Sequence, residues 1–140
     1  MLDRRSITHL HWQPRIGRNG SYALGAIVFG LDDVEQCIAT IVLTEKGSVP
    51  TMPEKCTRLA PYIDRRPAVA IPNISREIFD AIRIWEPRVV VEQVAITQDD
   101  FAHFRFPVFW RLRGDVTRTV RETVVVLPAE RRAGGAHGTS

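Results

Sequence analysis

The stretch NISREIFDAIRIWEPRVVVEQV, Asn73 to Val94, changes its period in the middle. As far as Trp85 the apolar residues Ile74, Ile78, Ala81, Ile82 and Trp85 recur at helical spacing, with Arg76, Asp80 and Arg83 off that stripe. Beyond Arg88 the run is β-branched and reads as a strand. Asn73 suits the start of the helix, and Pro87 disfavours helical backbone at Glu86, so the helix is predicted to stop at about Trp85. An acid and a base, Glu86 and Arg88, therefore flank an obligatory break.

Working outward, HFRFPVFWRLR (103–113) alternates: Phe104, Phe106, Val108, Trp110 and Leu112 on one face, His103, Arg105, Arg111 and Arg113 on the other. Phe109 is the apolar exception on the second face, and Pro107, which cannot donate to a ladder, predicts an edge strand or a bulge. After Gly114-Asp115 turns the chain, TRTVRETVVVL reads as a third strand. Upstream, LDDVEQCIATIVLTEKG reads as a helix opened by an Asp32/Glu35 capping box, with Val34, Cys37, Ile38, Ile41 and Val42 inward and Gly47 as its stop. Ser48 to Met52 suits a short strand. Four prolines between 53 and 72 keep any helix there brief, EKCTRLAPYI being the best candidate. Residues 1–21 read as an arm, 22–127 as the domain, and 128–140 as a tail. The fold class is α+β, two main helices packed on a small C-terminal antiparallel sheet.

The bulk numbers fit one ordinary globular domain. Of 140 residues 44% are hydrophobic and 25% charged, and the net charge is +3. That charge, without a basic run, argues against nucleic acid. The polar start and the lack of a long apolar run argue against a signal peptide and a membrane span, so the expectation is a soluble protein made in a cytoplasm. Only Lys46 and Lys55 among the basic residues are lysine, and arginine is the better residue for interfacial ion pairs.

The chain offers little positive evidence for catalysis. Asp32, Asp33, Glu35, Glu77, Glu86, Glu92, Asp99 and Asp100 are each explained by caps, turns or helix surface. His9, His11, His103 and His137 are scattered, and a zinc site needs three or four ligands. Cys37 and Cys56 lack CxxC spacing and read as reduced thiols. No nucleotide-binding or nucleophile-elbow pattern occurs. No metal, cofactor or enzymatic activity is expected. Large aromatics beside arginines in the C-terminal half suggest instead a surface made for contact.

The order of features supplies a resemblance over about residues 30 to 97. A helix ends at Leu43-Thr44, Gly47 turns the chain, Met52-Pro53-Glu54 follows, and a second helix closes on Glu86-Pro87-Arg88 before a β-branched strand. This resembles the baseplate protein W family of contractile phage tails, with a counterpart in type VI secretion baseplates. The chain departs from that family after Pro53-Glu54, where Lys55 and Cys56 replace an aromatic and a glycine. The resemblance implies a structural component of a baseplate wedge, located in the virion tail and assembled in the host cytoplasm. Its Glu-Pro-Arg motif would dock on the wedge core proteins, with Pro87 holding Glu86 and Arg88 outward. Strands 103–113 and 118–127 would pair with an arm of the tail sheath protein, with Arg105, Phe109, Arg111 and Arg113 at the contacts. Six copies around the tail tube are implied. Because members have carried a lysozyme-like label, a peptidoglycan hydrolase is the alternative. It requires two carboxylates about 5 to 10 Å apart across a cleft.

Overall fold

The computed structural model describes residues 12–16, 22–99 and 103–127. The expected tail, 128–140, and most of the expected arm, including His9 and His11, lie outside the described residues. Within them the chain is α+β.

The period change at Glu86 is real. Helix α3 spans Pro67–Trp85 and strand β3 spans Val89–Val94. Ile74, Ile78, Ala81 and Ile82 are buried and Trp85 half-buried. The helix nevertheless begins six residues before Asn73. Pro67 sits in its first turn, where a proline has no intrahelical bond to lose, and Ala70 extends the buried stripe backward. Pro72 lies inside the helix with its ring exposed, and the carbonyl that loses a donor belongs to exposed Ala68, where water can replace it. Asn73 is thus no cap; its side chain donates back to the Val69 carbonyl at 2.7 Å.

Helix α1 spans Gly30–Leu43 and buries Val34, Ile38, Ile41 and Val42, as its spacing requires. The capping box does not form. Phe29 stands at the N-cap with no side-chain bond, and Gly30 turns the chain at φ +62, a left-handed conformation that favours glycine. Helix α2 shrinks to Ala60–Ile63, because Cys56 takes a φ of +80 and breaks the preceding segment. Ser48–Met52 forms turns rather than a strand. The extended pairing there is a parallel bridge between Glu45 and Thr57, braced by the Thr57 hydroxyl donating to the Val42 carbonyl.

Strands β3, β4 (Thr97–Asp99), β5 (His103–Leu112) and β6 (Arg121–Leu127) form an antiparallel sheet. β3 and β4 both pair with one edge of β5, and β6 pairs with the other. β5 is therefore central, against the edge position that Pro107 suggested. The reason is local: the Pro107 carbonyl accepts from Ala95 at 2.9 Å, so its missing donor faces the same side, where the ladder is broken between β3 and β4. A bulge at Glu92 shifts the β3 register between Val91 and Gln93, which alternation alone could not reveal. The inward row is as read. Phe106, Val108 and Trp110 are fully buried under α1 and α3, and the Trp110 Nε1–H donates to the Thr123 hydroxyl at 2.8 Å.

Part of the expected arm is structured. Strand β1 (Trp12–Ile16) pairs antiparallel with β2 (Tyr22–Phe29), and the ribbon lies against α1. Pro14 in β1 was read as breaking any pattern, yet it occupies a strand position whose missing donor points away from β2.

Candidate docking corner at Glu86-Pro87-Arg88

Where α3 ends, the Glu86 N–H still bonds the Ile82 carbonyl at 2.8 Å, and the chain then enters β3. The corner is fastened from the sheet side as well. The Arg113 N–H donates to the Arg88 carbonyl at 2.8 Å, and the Arg113 Nε donates to the Pro87 carbonyl at 2.9 Å.

The two flanking charges do not both face outward. Glu86 is 4% exposed, and its carboxylate receives the Arg88 guanidinium in a two-pronged bond, Nε to Oε1 at 2.6 Å and Nη2 to Oε2 at 2.8 Å. Arg88 also reaches α1, donating from Nη1 to the Asp33 carboxylate at 2.6 Å and from Nη2 to the Cys37 sulfur at 3.4 Å. Asp33 is itself 4% exposed. The expectation of an outward acid and base is thus corrected. With two buried carboxylates nearby, a guanidinium turned to water would leave unpaired charge in a dry site, so it turns inward and spans them. Pro87 is exposed and the Arg88 side chain keeps 28% of its surface.

The electrostatics follow. Arg88 is held well above its ordinary value, chiefly by its bonds to Glu86, against the cost of burial, with Asp33 adding to the effect. Asp33 lies in the first turn of α1, where the positive end of the helix favours a carboxylate. The Cys37 thiol is pushed above 9.0, first by burial and then by the Glu86 and Asp33 charges, while Arg88 and a bond from the Gln13 amide pull the other way. Because the folded state holds this proton more tightly than the unfolded chain, the contribution is complete below pH 9.0 and is lost as pH rises through the raised value. Unfolding by urea at about pH 8 and about pH 10 should show lower stability at the higher pH, with a smaller drop in Cys37→Ala. Cys56, also raised by burial, keeps that drop from vanishing.

Asp33, Cys37 and Gln13 were not singled out by sequence as partners of this corner. A signal existed: Asp33 and Cys37 are four residues apart, hence on one helix face next to the apolar stripe, and an acid turned inward requires a partner. Nothing in the sequence said that the partner would be Arg88, 55 residues away.

The remaining predicted contact residues divide. Arg113, exposed, and Arg111, half-buried, stand at the corner end of β5, and Arg111 is paired through Nε with Glu92 Oε1 at 2.5 Å. That partly exposed pair is worth roughly 0–1 kcal/mol, so Glu92→Ala should leave the denaturation midpoint almost unchanged. Phe109 is half-buried opposite Glu122. Arg105 is exposed at the far end, opposite Thr97 and Val126, roughly 25 Å from Arg113 at strand spacing. The structure therefore groups Glu86, Pro87, Arg88, Arg111 and Arg113, and sets Arg105 apart.

A separate cavity of about 160 Å³ opens between the start of α3 and the β4 end of the sheet, lined by Ile63, Asp64, Ala70, Ile74, Gln98 and Phe104 among others. Among the described residues Asp64 is its one acidic lining residue.

No family model matches the chain, and none of the curated proteins matches it. Among solved structures the fold is similar to a crystal structure from Geobacter sulfurreducens described as "putative tail lysozyme". The two share 19% identity at a TM-score of 0.64, over 74% of this chain and 96% of the other. At that identity the likeness concerns the fold.

Proposed function

We propose that the chain is a structural component of a contractile-tail baseplate wedge, which docks through the Glu86-Pro87-Arg88 corner and starts the sheath by strand addition. One observation carries this reading. A helix-to-strand corner is fastened from three elements while leaving Pro87, the outer part of Arg88 and Arg113 accessible. A surface fixed before binding loses little conformational freedom when a partner arrives. The similarity in fold to a protein described as a tail lysozyme supports the setting.

The division of labour differs from that expected of an outward charge pair. Arg88 braces the corner from inside, and the wedge core proteins meet its outer part together with Pro87 and Arg113. Because β5 is central, strand addition by the sheath protein falls to the outer edge of β6. Odd-numbered β6 residues face β5 in hydrogen-bonded pairs, so Val124, opposite Pro107, turns its N–H outward. Val124→Pro removes that donor and spares the β5–β6 ladder. It should yield baseplates and tubes without sheath, visible by electron microscopy, while normally sheathed tails would refute strand addition at this edge.

The name of the structural neighbour favours a second reading, a muralytic hydrolase. The carboxylates brought together among the described residues, Asp33 and Glu86, are the natural pair to test. A guanidinium lies between them and both are buried, which leaves no room for a sugar ring. Turnover of peptidoglycan by the purified chain, abolished by Glu86→Gln in a folded variant, would establish this reading over the first.

A further inference from the structure

The turn between β5 and β6 leaves the sheet beside the corner, since the Arg113 N–H bonds the Arg88 carbonyl at 2.8 Å. It is fastened largely by its own side chains. The Asp115 carboxylate accepts from the Thr117 hydroxyl at 2.7 Å and from the Thr117 N–H at 3.0 Å. The Thr119 hydroxyl lies 2.9 Å from that of Thr117, and the Arg118 N–H donates to the Asp115 carbonyl at 3.3 Å. The Thr117 hydroxyl, and then its N–H, hold the Asp115 carboxyl below its ordinary value, so this acid is ionised and engaged within the turn.

Three residues of this turn serve the isolated fold poorly. Val116 is 95% exposed and Val120 54%, so burial returns little for either. Arg118 takes a φ of +50, a conformation that glycine adopts without cost, yet its side chain is exposed. Backbone strain of this kind gathers where a surface is held for binding. From Arg113 to Arg121 the sequence has three arginines against the one acid, Asp115. At the corner itself Glu86 and Asp33 are buried against Arg88. The charge presented here is therefore basic, from Arg113, Arg118 and the outer part of Arg88.

We infer that the partner meets this end of the molecule with an acidic protein surface, whose carboxylates receive Arg113 and Arg118 around an apolar hollow that takes Val116. The inference rests on the baseplate reading and names the chemistry of the partner at that same site. Exposed arginines select opposite charge, and a turn ordered beforehand loses little freedom on docking. Phosphates would also attract the arginines, but nucleic acid fits the rest of the turn badly. Residues 113–121 include no aromatic ring on which a base could stack, and a phosphate backbone would leave both valines in water.

The test uses the full chain in cells that assemble tails, with p-benzoylphenylalanine in place of Val116. Light should join it to a wedge core protein, and the joined peptide should carry more Asp and Glu than Lys and Arg. Separately, Val116→Asp and Arg118→Gly should each keep the melting midpoint within about 3 °C of the wild type. Each should cut co-purification with wedge core proteins at least about tenfold, the first by setting like charges together and the second by removing a cation. Val69→Asp, 48% exposed near the start of α3, should leave that recovery unchanged. A joined peptide richer in Lys and Arg, a product destroyed by nuclease, or no product at all would overturn the inference. So would wild-type recovery with Val116→Asp or Arg118→Gly, or equal loss with Val69→Asp, and the baseplate reading would then still stand. A wild-type chain that recovers no wedge protein would overturn both.

Discussion

Arg88→Ala is expected to destabilise the chain by about 3 kcal/mol, measured by urea unfolding, with near-native helix content at zero denaturant. The cost does not come from a lost contact with solvent-exposed partners. Removing the guanidinium leaves Asp33 and Glu86, each 4% exposed, as two like charges in one dry site. Breaking a buried pair in this way costs roughly 3–5 kcal/mol, and the 28% exposure of Arg88 places this case at the lower end. Arg88→Lys should fall between, since an ammonium supplies the charge without the planar fork that meets both Glu86 oxygens. The signature is coupling: Asp33→Ala should destabilise much less in the Arg88→Ala background than alone, because its partner is already gone. Equal costs in both backgrounds would show that the network does not brace the corner. This also revises what a docking motif would suggest, that alanine at Glu86 or Arg88 spares the fold.

Trp110→Ala is expected to cost about 3–5 kcal/mol, the largest single effect from the apolar core. Trp110 is fully buried in the central strand, beneath both long helices, and its N–H satisfies Thr123, which is 9% exposed. The substitution opens a cavity and orphans a nearly buried hydroxyl together. With native stabilities of about 5–15 kcal/mol, the variant should be largely unfolded under mild denaturant. Phe109→Ala, on the outer face of the same strand and half-buried, is the contrast and should cost far less. Comparable midpoint shifts for the two would mean that the inner and outer faces are misassigned.

The alternation of β5 and the apolar stripes of α1 and α3 were legible in sequence, because burial acts on every second or every third-and-fourth residue and leaves a periodic trace. The break at Pro87 was legible for a covalent reason. The start of α3 was not: Pro67 and Pro72 read as breakers, whereas one sits where a helix tolerates it and the other turns its ring to solvent. Pro107 misled in the same way, since the ladder fault it requires lies in the neighbouring strand, 12 residues earlier at Ala95. The ribbon strand β1 was invisible because Trp12–Ile16 is mostly exposed and so carries no alternation of burial. At the corner, the residues were found and their orientation was not. Orientation depended on Asp33, whose contact with Arg88 is a product of the tertiary fold and has no local signature.

Arg113→Glu separates docking from folding most directly. Arg113 is exposed and contributes one side-chain bond to the corner, from Nε to the Pro87 carbonyl, so its reversal should change the melting midpoint little. Carried out in cells that assemble tails, the account predicts that the folded variant no longer co-purifies with wedge core proteins. A folded Arg113→Glu chain recovered with them at wild-type yield, in tails of normal form, would contradict it.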